Sequence, residues 1–262
     1  METITKNIPT LALRGLTVFP RATASFDVER EISIRALERA TEMGQEIFLV
    51  TQRELGAELP EEKELYEIGT VAHVIQVLRA SSSMVRVIVE GRSRARLRRL
   101  WQREPFLQAQ VELIGETKAV RRGNRTEAML RQTYALFGEY SELTSKLPES
   151  IFTTVMDATD PGYLADFIAQ NINLRYQDKQ SVLEELQPLV RLRRINEILT
   201  REISVISMEQ DIESKVRERV GQIQKDMILR EQIKVLQNEI GEGDSDAEFD
   251  EYRRKIKACA LP

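Results

Sequence analysis

Apolar and polar residues alternate through much of the first half of the chain. Leu107, Ala109, Val111 and Leu113 are separated by Gln108, Gln110 and Glu112, and Val85, Val87 and Val89 alternate with Arg86, Ile88 and Glu90. This period of two half-buries a strand. Ile47 to Thr51 (IFLVT) is a short continuous apolar run and reads as a buried strand. Between such segments, Ile32 to Met43 places Ile34, Leu37 and Thr41 on one helical face and stops at Gly44, a residue suited to a helix C-terminus. The Ser81-Ser82-Ser83 tract is predicted to join two antiparallel strands, Val71–Leu78 and Met84–Val89. One helix among several short strands points to a small closed or nearly closed β-barrel.

The pattern changes at Glu116 to Glu127 (ETKAVRRGNRTE), a polar stretch predicted to be a boundary loop. Beyond it the period is helical. Leu130, Tyr134 and Phe137 share a face, and Asp160-Pro161-Gly162 starts a helix carrying Leu164, Phe167 and Ile168, with Asp160 as cap and Pro161 in the first turn. Asp178 is predicted to open another helix, with Val182, Leu183 and Leu186. Pro188 should end that helix and start the next, because proline lacks the N–H an interior position needs. No further proline occurs before Pro262, so a helix running from Pro188 to Ile240 would be roughly 80 Å long at 1.5 Å per residue.

Leu192, Ile195, Leu199, Ile203 and Ile206 can pack on the preceding helices, while Ile212, Val216, Val220, Ile223 and Met227 continue the stripe further than one bundle can cover. Ile233, Leu236 and Ile240 extend it within REQIKVLQNEIGEG. The four-plus-four spacing at 212, 216 and 220 breaks a strict heptad, and Gly221 weakens the middle. An exposed lever with intermittent contacts is expected rather than a regular two-stranded coiled coil. The acidic, glycine-containing GEGDSDAEFDE after it reads as a flexible loop.

Composition narrows the function classes. The chain has 262 residues, 42% hydrophobic and 31% charged, with a net charge of −4. That suits one or two soluble domains and gives no general electrostatic case for nucleic acid. No run of about 18 apolar residues and no secretory signal pattern is present, so a protein free of the membrane, in the cytosol, is expected. Cys259 is the only cysteine and His73 the only histidine, which argues against a disulfide, a Cys/His metal site or a histidine dyad within the chain. His73 reads as a strand-end structural residue or as a base. There is no GxxxxGK[ST], GxSxG or HExxH, and no catalytic residue or cofactor is assigned.

EGRSRARLRR places Arg92, Arg94, Arg96 and Arg98 on alternate positions and so on one strand face. This is either a polyanion-binding stripe or a solvated outer face paired with nearby glutamates. Trp101 and Phe106 flank it, as core residues or as peptide contacts.

LALRGLTVFP, EREISIRALERA, GTVAHVIQVL, VRVIVEGRSRARL, DPGYLADFIA, DKQSVLE and REQIKVLQNEIGE occur in this order along essentially the whole chain. They resemble the amino-terminal region of bacterial Lon proteases. That family commonly has an acidic residue after the arginine of its first strand, where Gly15 stands here. The resemblance implies an α+β fold: a PUA-like β-barrel subdomain (1–116), a helical bundle (117–187) and a very long helix (188–241). Residues 242–262 would be an acidic loop leading to an AAA+ ATPase module, with ATP and Mg2+, and to a Ser-Lys protease module, neither within this sequence. It also implies a homohexameric ATP-dependent endopeptidase whose head captures unfolded or damaged proteins and whose long helix acts as a strut. Val18, Phe19, Pro20 and Trp101 are the expected substrate contacts. Ile212, Val216, Val220, Ile223, Ile233, Leu236 and Ile240 are the expected connector or oligomer contacts. A polyanion-binding module and a purely structural oligomerisation domain are the alternatives.

Overall fold

Two strands that are apolar on both faces organise the amino-terminal half: β1 (Thr5–Leu13) and β3 (Glu46–Thr51). They pair in parallel, Thr10 opposite Phe48 and Leu13 opposite Thr51, with α1 (Glu31–Glu42) in the connection between them. A parallel pair covered on both sides needs continuous rather than alternating apolar sequence, which is what IFLVT provides. The structure, a computed structural model, describes residues 4–79, 84–115, 123–144, 147–241 and 245–259, with backbone alone at 239–241 and 245–248.

The remaining strands are β2 (Thr23–Val28), β4 (Ile68–Arg79), β5 (Val85–Gln102) and β6 (Gln108–Leu113). The order is β2-β5-β4-β3-β1-β6, and β6 also pairs with β5. The ring β5-β4-β3-β1-β6 is therefore closed, and β2 lies outside it on β5. Strand β5 is long enough for both tasks: Val85 to Glu90 pair with β2, and Ala95 to Gln102 pair with β6. Ile8, Ala12, Phe48, Val71, Ala95, Ala109 and Val111 form one core. Leu11, Leu13, Val28, Leu37, Ala40, Leu49, Val74 and Val87 form a second, shared by α1 and β2. Helix α1 ends as expected before Gly44, whose φ of 98° is a conformation that glycine adopts without strain.

Five helices follow: α2 (Asn124–Thr144), α3 (Glu149–Asp157), α4 (Pro161–Asn171), α5 (Tyr176–Glu184) and α6 (Pro188–Gly241). Asp160 caps α4 by accepting from the Tyr163 N–H at 2.8 Å. Helix α5 starts at Tyr176, ahead of Asp178. Phe137, Val155, Leu164, Ile168, Leu192, Ile195 and Leu199 are buried among these helices. Helix α3 has no counterpart among the elements expected from sequence, and Asn124–Glu127, expected as loop, is already the first turn of α2. The Ser81–Ser83 turn and residues 116–122 of the boundary loop lie outside the described residues.

The chain divides into two compact units, one ending at Ser204 and one beginning at Val205, so barrel and bundle belong together. Several polar contacts join them. Arg94 of β5 makes a bidentate pair with Asp166 of α4, at 2.9 and 2.7 Å, and its Nε donates to the Leu183 carbonyl. Arg191 of α6 donates to the same carboxylate at 2.8 Å. Gln180 Nε2 donates to the Ile68 carbonyl, and the Tyr176 hydroxyl to that of Arg53. Burial pushes the Arg191 guanidinium below its ordinary range; Asp166 opposes that shift and Arg94 adds to it.

In the second unit α6 continues without a break through Gly221 to Gly241, and α7 (Ser245–Ala258) follows. The acidic segment expected as loop is thus helical from Ser245 onward. Every residue of this unit whose side chain is described is exposed apart from the half-buried Ile206 and Gly221.

Asp166→Asn removes the counter-charge that two buried guanidiniums share, and should destabilise the first unit by about 3–5 kcal/mol. Thermal unfolding followed by circular dichroism should show Tm lower by roughly 10 °C. Asp27→Asn, whose ion pair with Arg86 is solvent-exposed, should leave it nearly unchanged. An equal response from both variants would mean that the Asp166 pair is as hydrated as the surface one.

Candidate functional site

Strand β3 is shorter than its neighbour. Its pairing with β4 ends at Glu46 opposite His73, followed by the Val74 N–H donating to the Gln45 carbonyl. Past that point β4 runs on through Arg79 with β5 on one side and, among the described residues, no strand on the other. Ile75 is the extra residue of a bulge, since Val74 faces Val89 and Gln76 already faces Ile88. Ile75, at 50% exposure, Val77 and Leu78 all reach solvent in this stretch. A free strand edge beside exposed β-branched and leucine side chains is what an extended polypeptide can add to: the backbone supplies affinity and the side chains selectivity.

Charged pairs flank this arm. Arg86 forms a bidentate pair with Asp27 at 2.7 and 2.9 Å. These hydrogen bonds hold the Asp27 carboxyl below its usual range, slight burial opposing and charge attraction adding. Arg79 reaches Glu38 of α1 at 3.4 Å.

The expected contact residues are not gathered here. Phe19 is wholly buried and Val18 nearly so, which removes both as surface contacts. The cause is a close approach: a Cβ on Gly91 would lie 2.1 Å from the Phe19 carbonyl oxygen, so this segment is pressed onto β5, and Thr70 Oγ1 donates to the Val18 carbonyl at 2.7 Å. Pro20 is half-buried and lines a cavity of about 180 Å3 at the junction of barrel and bundle, together with Arg92, Arg94, Tyr163, Asp166 and Arg191. Trp101 is 49% exposed near the far end of β5 and so is not core, while Phe106 is half-buried. In sequence, residues 75–78 show only the pattern of a strand, which is the same whether or not a neighbour covers it.

The arginine stripe does not survive as a stripe. Arg94 is 8% exposed and committed to Asp166. Arg92 pairs with Glu90 and Arg98 with Glu112. The polyanion-binding reading of this alternation is therefore interrupted at its second member, whereas Arg92 and Arg98 have the glutamate partners of the other reading, a solvated outer face. His73 is half-buried between Glu46 and Glu90 on its neighbouring strands, in the middle of the sheet.

Of the connector positions, Ile212, Val216, Val220, Ile223, Ile233 and Leu236 are exposed on α6, and Ile240 falls where only backbone is described. The nucleotide and Mg2+ implied by the resemblance have no matching motif in the sequence, which lacks GxxxxGK[ST], and no ligand cluster among the described residues, where no group of three His, Cys, Asp or Glu side chains is placed to hold a metal. No described helix is long and apolar enough to cross a membrane.

A family model for the ATP-dependent protease La (LON) substrate-binding domain matches residues 7–201. The Lon protease of Syntrophomonas wolfei is 36% identical over 258 residues, covering 98% of this chain and 32% of the relative. That of Heliobacterium modesticaldum is 37% identical over 258 residues, with the same 98% and 32% coverage. The chain thus spans about a third of the length of the curated relatives it matches. Among solved structures, the N-terminal domain of the Mycobacterium avium complex Lon protease aligns with a TM-score of 0.59 at 20% identity, over 76% of this chain and 98% of that one. A Lon N-terminal domain protein from Xanthomonas campestris aligns at 0.52 and 14%, over 72% and 96%. Identities this low speak for the fold alone; the family model and the curated relatives carry the assignment. By its match to the family model over residues 7–201 and to curated relatives along nearly its full length, the chain belongs to the Lon substrate-binding domain family.

Proposed function

We propose that this chain is the capture domain of an ATP-dependent Lon endopeptidase, which takes hold of unfolded or damaged polypeptides and passes them to an ATPase ring. The observation that carries this reading is the open edge of β4 with Ile75, Val77 and Leu78 in solvent. Unfolded chains differ from folded ones in offering free backbone and apolar side chains together, and this edge matches both. Pro20 and Trp101 remain secondary contacts. ATP, Mg2+ and the Ser-Lys nucleophile would belong to the remainder of a full-length cytosolic enzyme. The polyanion alternative is weakened by the burial of Arg94 and the pairing of Arg92 and Arg98.

Purified chain should bind a permanently unfolded protein with micromolar-range affinity and ignore its folded form. Burial of apolar area is not screened by salt, so affinity should change little between 50 and 200 mM, whereas four phosphate contacts would lose roughly a hundredfold. Changing Ile75, Val77 and Leu78 together to serine should weaken binding about tenfold, and replacing Arg92, Arg96 and Arg98 by glutamine should not. Equal affinity for folded and unfolded forms would overturn the capture reading.

The same reading assigns self-association to the second unit. Ile212, Val216, Val220 and Ile223 are uncovered, and a second copy of the helix is the simplest cover for a stripe of this length. Sedimentation equilibrium should show weak, concentration-dependent association that diminishes when the chain is cut after Met208; identical monomers for both would overturn it. Finally, the chain alone should neither hydrolyse ATP nor cleave casein, and turnover by a pure preparation would contradict its assignment as a capture domain only.

A further inference from the structure

Strands β1 and β2 do not pair, and the seam between them opens into a cavity of about 350 Å3 at the start of α1. Its volume falls in the range of small-ligand sites, about 300–1,000 Å3. Leu11, Leu13, Leu16, Phe26 and Val28 give it apolar walls that continue into the second core. At the other end stand Arg14, Arg30 and Ser33. Three features there are unusual together. The N-cap of α1 is Arg30, which gives the first turn no side-chain acceptor and puts a cation where the helix dipole favours an anion. Ser33, only 3% exposed, has an Oγ without any hydrogen-bond partner. The hydrogen bonds that hold the two guanidiniums run to neutral acceptors: Arg30 to the Ala12 and Glu58 carbonyls, Arg14 to the Ala57 carbonyl and the Gln52 side chain. Burial, then repulsion from Arg14, lowers the affinity of Arg30 for its proton, with Glu58 opposing. Two carboxylates, Asp27 and Glu29, also line the cavity, Asp27 taken by Arg86 and Glu29 exposed to solvent, while Glu31 is paired with Arg35.

We propose that this cavity binds a carboxylate carried on a short apolar stem, the group presented by a polypeptide whose last residue is apolar or by a free N-acylated amino acid. The anion would lie against the uncapped first turn of α1, between Arg14, Arg30 and the Ser33 hydroxyl, and the stem against Leu11, Leu16 and Phe26. Two guanidiniums, an unused hydroxyl and a helix N-terminus are complementary to one planar anion. The polypeptide source rests on the capture reading above; the free acid does not.

The test is calorimetric titration of the whole chain with N-acetyl-leucine and with its amide, and with a decapeptide ending in leucine as free acid or amide. The acids should bind roughly tenfold or more tightly than the amides. Arg14→Gln and Ser33→Ala should each weaken the acids severalfold and leave the amides unchanged. Ser33→Ala also separates binding from folding, because removing an unpartnered buried hydroxyl should leave Tm the same or higher. Preference for the acid in the peptide pair as well as the amino-acid pair assigns the polypeptide end as ligand; preference in the amino-acid pair alone assigns the free acid. Equal binding of acids and amides, or insensitivity to both variants, overturns the proposal. If the acids fail while unfolded protein still binds, the cavity falls and capture stands. If the acids bind and unfolded protein does not, the reverse holds.

Discussion

A single carboxylate, that of Asp166, lies between two guanidiniums that come from different parts of the chain. Arg94 arrives on a barrel strand and Arg191 on the long helix, and α4 supplies the acid that both need. All three side chains are less than a tenth exposed, so each depends on the others for its solvation. Desolvation makes such a cluster a weak source of net stability but a severe penalty on any arrangement that separates its members. Misplacing the helices on the barrel would therefore carry the cost of an unpaired buried charge. The bonds from Gln180 and Tyr176 to barrel carbonyls add direction to the same junction.

Much of the architecture is legible in the sequence because it follows from local periods. Alternation marks β5 and β6, the continuous run at IFLVT marks a strand buried on both faces, and the lone helix among the strands is bounded by Gly44. Pro188 marks the start of α6 because an interior proline would forfeit a hydrogen bond. Helix α3 is not legible, because ESIFTTVMD is short and carries two threonines, which favour neither period strongly. The acidic segment after Gly241 looked like linker by composition, although charge does not prevent a helix from forming.

Functional residues were harder to read, and for a physical reason. Whether an apolar residue is core or contact surface depends on what covers it, and cover is a property of distant sequence. Val18 and Phe19 stand beside a proline and look like loop, yet Gly91, more than seventy positions away, lets the backbone close over them. Ile75 to Leu78 give only the pattern of a strand, and they are left open because β3 stops short. The arginines of β5 look equivalent in sequence, and only the fold makes one of them a structural ion and its neighbours solvated pairs.

Closure of the barrel also imposes an order on synthesis. The first strand finds its antiparallel partner only in the last, with Thr5 opposite Glu112, and the parallel pairing with β3 precedes it. At about 5–20 residues per second, β1 therefore waits roughly 5–20 s for β6 to emerge, with one edge unsatisfied. During that interval the nascent barrel is itself an open-edged apolar sheet, the same kind of surface that the β4 edge still presents once the chain has folded.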